Sequence, residues 1–143
     1  MQLSDLADIL RREACSLVLQ DAEGRVRLFH QQGVRDLEHL LDHEPGTLRG
    51  ARVADKVVGK AAAAMMACGG VREVYAEVMS RKATPLLEAD GIGYAYGQLV
   101  DNIIVRQGDT RCPLEQIVEE ATTAEETVAL LRQHFMRKRK ERT

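Results

Sequence analysis

Asp55-Lys56-Val57-Val58-Gly59-Lys60-Ala61-Ala62-Ala63-Ala64 is the stretch in which residue type and spacing first suggest chemistry. It has the pattern of a loop opening a helix, with Gly59 and Lys60 at the entry and four strong helix formers behind. The amino end of a helix presents unpaired N–H groups and about half a positive charge, which suits an anion. The dipole disfavours a lysine there, so an exposed Lys60 in the first turn is expected to serve a ligand rather than the helix. Ser80-Arg81-Lys82 repeats the arrangement, with a serine able to cap a second helix and two cations beside it. If both junctions follow parallel strands, they open on one crevice at the carboxyl ends, where open α/β sheets hold ligands. In that crevice Lys60, Arg81 and Lys82 would meet a phosphate, with Asp55 orienting Lys56 or a ribose hydroxyl.

A third candidate is Arg111-Cys112-Pro113-Leu114-Glu115, where proline and an acid suit the first turn of a helix. Cys112 and Glu115 would line the rim. Cys112 is also a candidate nucleophile, its thiolate favoured by the dipole and by Arg111. No base lies beside it in sequence, although His30, His39, His43 and His134 remain available in space. Gly59-Lys60 is not a nucleotide-hydrolase phosphate loop: the preceding glycine, Gly50, is too distant, and Ala61 stands where a magnesium-binding hydroxyl is needed.

The elements that must position these groups follow from periodicity. Residues 4–14 have a helical stripe (Leu6, Ile9, Leu10) with Ser4 as its expected cap. Residues 15–20 and 25–30 flank Asp21-Ala22-Glu23-Gly24 and predict a β-hairpin. Val34, Leu37, Leu40 and Leu41 predict a helix stopping before Pro45-Gly46. A brief strand is expected over 52–54, then helices starting near Val57 and near Ser80, the first stopped by Gly69-Gly70. Between these two helices, residues 71–78 predict a strand. Residues 93–97 and 99–105 predict two further extended stretches, Pro113 a helix, and Thr123 the start of a last helix ending in Arg137-Lys138-Arg139-Lys140. With neither repeat nor linker, residues 1–143 are expected to form one α/β domain. Its architecture is a three-layer sandwich, a mixed β-sheet with helices on both faces, carrying a basic helical tail over 123–143.

The chain's 143 residues are 45% hydrophobic and 29% charged, with a net charge of −2. That balance creates no global attraction to nucleic acid or membrane. Two Phe, three Tyr and no Trp leave no stacking platform for single strands, so nucleic acid is not an expected partner. No apolar run spans a bilayer and no leader pattern follows Met1. Three scattered cysteines form no framework, and a reduced, cytoplasmic setting is expected.

The order helix, hairpin, helix at Val58-Gly59-Lys60-Ala61, strand, helix at Ser80-Arg81-Lys82-Ala83 resembles the cytidine deaminase-like fold. Together with Cys112-Pro113-Leu114-Glu115, the stretch from Asp55 to Ala63 resembles a small bacterial family of unknown function assigned to that fold, over about residues 15–121. In zinc deaminases a His-x-Glu and a Pro-Cys-x-x-Cys supply the metal ligands and the proton shuttle. By position these fall on Gly59, Ala61, Ser80 and Ala83, none of which can do that work. The resemblance thus implies the pocket without zinc or another cofactor. The leading expectation is a nucleotide or other phosphate-bearing metabolite as ligand. Alternatives are an enzyme with Lys60 or Cys112 as nucleophile, and a non-catalytic interaction module, with a homodimer among the states open to it.

Overall fold

The computed structural model describes residues 1–31, 34–103 and 116–141. In chain order the elements are α1 (Leu3–Arg12), β1 (Leu17–Gln20), β2 (Val26–Phe29), α2 (Arg35–His43), α3 (Pro45–Leu48), β3 (Arg52–Val58), α4 (Lys60–Gly69), β4 (Glu73–Ser80), α5 (Thr84–Ala89), β5 (Gly93–Val100) and α6 (Ala124–Glu141). The strands form one mixed sheet in the order β2-β1-β3-β4-β5. β1 runs antiparallel to β2 and β3, whereas β3, β4 and β5 are parallel, joined by crossovers through α4 and α5.

The hairpin forms where alternation and turn chemistry place it. Asp21 Oδ1 accepts the backbone N–H groups of Glu23 and Arg25, at 3.0 and 2.9 Å, which closes the turn between β1 and β2. Neighbouring residues of β3 then sort to opposite faces. Ala54 joins Leu6, Leu10, Cys15 and Val18 beneath α1, while Val53 joins the larger core built around α4. Helix α4 is buried on nearly every side, against α2, α5 and α6. Its five alanines and two methionines suit that central place, because a helix apolar all round has no solvent face to present. It ends at Gly70, whose φ of +79° only glycine adopts without strain.

Several boundaries differ from expectation. Gln2, not Ser4, caps α1, by a reciprocal arrangement with Asp5. The short α3 begins at Pro45, a residue expected only to stop α2; its ring suits a first turn. Residues 55–58, expected as loop and helix start, belong to β3, so α4 begins at Lys60 rather than Val57. Ser80 ends β4 instead of opening a helix, and α5 starts four residues later with Pro85 in its first turn. The extended stretches at 93–97 and 99–105 fuse into β5 as far as Val100, because pairing with β4 holds the chain extended through Ser80↔Val100. Pro113, the expected start of a helix, lies outside the described residues. Thr123 caps α6, accepting the N–H of Glu126 at 3.1 Å.

Candidate functional site

The parallel strands deliver three chain segments to one edge of the sheet: Gly59 after β3, Arg81-Lys82-Ala83 after β4, and Asp101-Asn102 after β5. Residues 116–121 pass over the same edge. Gly59 is the N-cap of α4 and supplies no side-chain cap; its carbonyl accepts the N–H of Ala63 at 3.0 Å. The Lys60 ammonium donates to the carbonyls of Glu119, at 3.1 Å, and of Ala121. Lys60 is only 7% exposed, a correction to its expected place on an open first turn. The physical reason lies in the crossing segment, whose carbonyl oxygens attract a cation that the α4 dipole alone would disfavour.

Lys82 reaches the same residue from the other junction, its Nζ 3.7 Å from Glu119 Oε1. Lys60 and Lys82 therefore share one neighbourhood. Ser80 is fully buried and structural in its contacts: its Oγ donates to the Asp101 carbonyl at 3.3 Å and accepts the Lys82 N–H at 3.1 Å. Arg81 is exposed and donates through Nε to Asp101 Oδ1 at 2.8 Å, bracing the turn from outside. Cys112 and Glu115 lie outside the described residues.

Asp55 and Lys56 do not act together. As successive strand residues they project to opposite faces, so Asp55 cannot orient Lys56 as expected. Lys56 lines a depression of about 480 Å³ with Arg11, Arg12, Glu13 and Glu77 at the end of α1. Asp55 sits between Leu17 and Ala76 and is 7% exposed. Burial pushes its carboxyl up to about 7, opposed by the Val57 and Lys56 N–H groups and reinforced by the charge of Asp36. The Val57 N–H donates to Asp55 Oδ1 at 3.4 Å.

Sequence reasoning missed Asp36, a second buried acid that accepts the Gln31 N–H at 3.2 Å. A polar residue at 36 in an otherwise amphipathic helix gives a weak signal for it. It also missed Glu119 and Ala121, whose backbone carbonyls have no signature in residue type. The buried Oδ1 of Asn102 has no hydrogen-bond partner among the described residues. Among those residues no three His, Cys, Asp or Glu side chains converge as a metal site would require, and no helix is long and apolar enough to cross a membrane.

The chain belongs to the DUF1893 family, a domain of unknown function typified by TM1506, whose family model matches residues 5–136. It is similar to the crystal structure of the DUF1893 family protein TM1506 from Thermotoga maritima. The two share 25% identity and superpose with a TM-score of 0.81 over 92% of this chain and 88% of that one. No curated protein matches it.

Proposed function

We propose that this DUF1893 chain is a zinc-free, deaminase-like domain that binds a nucleotide or another phosphate-bearing metabolite at the carboxyl ends of β3 and β4. The observation that supports this reading is the meeting of the two strand-to-helix junctions at Glu119, with Lys60 on its carbonyl and Lys82 on its carboxylate. Two cations from separate elements, beside a helix N-terminus whose cap is a glycine, favour an anionic ligand. The roles divide differently from those the sequence suggests. Lys60 holds residues 119–121 against α4, and Lys82, with its looser pairing to Glu119, is the cation that exchanges that carboxylate for phosphate. The deaminase-like part of the reading rests on the order of elements, and its loss of zinc chemistry on Gly59, Ala61, Ser80 and Ala83 standing at the positions of the metal ligands and proton shuttle.

Reading Lys60 as a nucleophile gains nothing from this geometry, because its Nζ is buried and committed to donating to the Glu119 and Ala121 carbonyls. The test is a comparison of mono- and dinucleotides with the matching nucleosides by calorimetry, on wild type and on Lys82→Ala. Losing one charge-assisted hydrogen bond should weaken nucleotide binding by roughly ten- to a hundred-fold and leave nucleosides unchanged. Equal affinity of both proteins for nucleotides removes Lys82 from the site. Absence of any nucleotide binding at millimolar concentration refutes the reading and puts the interaction module first.

A further inference from the structure

Helix α2 carries two histidines one turn apart. Leu37 and Leu40 hold its inner face in the core, which leaves His39 and His43 together on the outer side. Both side chains are exposed, and their ring centroids lie 4.9 Å apart with the planes at 42°. Glu44 Oε2 stands 3.7 Å from His39 Nε2, too far for a hydrogen bond, and among the described residues no hydrogen bond engages either ring. The flanking acids are already paired, Glu44 with Arg27 at 2.9 Å and Asp42 with Arg132 at 2.8 Å. What the two rings offer is therefore lone pairs rather than charge. A histidine in the last turn suits the helix dipole, which accounts for His43 but not for His39, a turn earlier.

We propose that His39 and His43 chelate one late first-row divalent cation, each through one ring nitrogen. A metal about 2.0–2.1 Å from one nitrogen of each ring sets the centroids about 4.5–5 Å apart, so the observed 4.9 Å needs only rotation of the rings about their broad terminal torsions. Imidazoles at i and i+4 suit such a bridge because they face each other across one helical turn. Imidazole nitrogen favours Cu²⁺, Ni²⁺ and Zn²⁺ over Mg²⁺ and Ca²⁺, which take oxygen ligands, and the divalent series places Cu²⁺ first. Among the described residues no third His, Cys, Asp or Glu completes the set, so the ion's remaining positions go to water. Two protein ligands hold it loosely, and it leaves on dialysis. The site is independent of the anion site proposed above, since it draws on none of Lys60, Lys82 or Glu119.

The experiment is calorimetric titration of the untagged full chain with Ni²⁺, a probe that binds imidazole without oxidising the exposed Cys68 thiol. Wild type should bind one Ni²⁺ per chain with a dissociation constant below about 100 µM. His39→Ala and His43→Ala should each raise that constant by at least about tenfold, because a single imidazole loses the effective concentration that its neighbour provides. His30→Ala and His134→Ala should leave it unchanged. Saturating Ni²⁺ should also raise the urea midpoint of wild type, since the bridge exists only while α2 is folded, and should not raise that of His39→Ala. A wild type that binds no Ni²⁺ below about 1 mM overturns the proposal. So does binding that survives both α2 substitutions, or that is lost in His30→Ala or His134→Ala instead.

Discussion

Lys60→Ala tests whether the lysine at the head of α4 is a strut, as its contacts imply. The substitution removes an ammonium that donates to the carbonyls of Glu119 and Ala121. Glu119 is exposed, so its carbonyl can recruit water, whereas Ala121 is buried at 4% exposure and its carbonyl cannot readily do so. Hydrogen bonds to a charged group contribute about 1.5–3 kcal/mol, and an orphaned buried acceptor costs about 1–3 kcal/mol. Relief of the unfavourable lysine–dipole contact returns about 0.3–1 kcal/mol. At their midpoints these leave a net loss of about 3.5 kcal/mol. Unfolding entropy for a chain of this length is about 0.3 kcal/mol per kelvin, so the melting temperature should fall by about 12 °C. Lys60→Met keeps the aliphatic stem and loses only the charge, so it should fall by a similar amount. Calorimetric melts of the three proteins decide the matter. A Lys60→Ala melt within about 2 °C of wild type, or a Lys60→Met melt equal to it, would refute the strut.

Other outcomes follow from the same contacts. Asp55 has a carboxyl raised from 3.8 to about 7, so the folded state holds a proton that the unfolded state releases, and stability should fall as pH rises from about 4 to about 7. Asp55→Asn should flatten that slope and stabilise the protein above pH 7, by up to about 4 kcal/mol on the shift of about three units; urea melts of both proteins at acid and alkaline pH check it, and parallel slopes would contradict it. Gly70→Ala forces a side chain into the left-handed region and should cost about 1–2 kcal/mol in the same melts, whereas a gain would show that the helix stop tolerates other backbone angles. Elemental analysis of the purified protein should find well under one zinc per chain, because the proposed deaminase-like reading puts Gly59, Ser80 and Ala83 where metal ligands would stand; about one zinc per chain would overturn the zinc-free reading.

The sequence by itself determined the parts whose signals are local. Alternation around Asp21-Ala22-Glu23-Gly24 predicts the hairpin, Gly69-Gly70 marks the end of α4, and Thr123 marks the start of α6, since turn, stop and cap chemistry act over three or four residues. The alanines that follow Lys60 predict a helix, and their smallness agrees with a place at the centre of the core. Only the tertiary structure made Asp55-Lys56-Val57-Val58 a strand. Its extended form depends on partners in β1 and β4 that are far away in sequence, and the preference of a charged pair for a loop yields to that pairing. The same long-range assembly sends Asp55 and Lys56 to opposite faces, buries Asp55 near Asp36, and turns Lys60 from an expected surface cation into a buried one. Its partners there are main-chain carbonyls, about sixty residues along the chain, and a carbonyl oxygen is common to every residue. No pattern of residue types could have announced them.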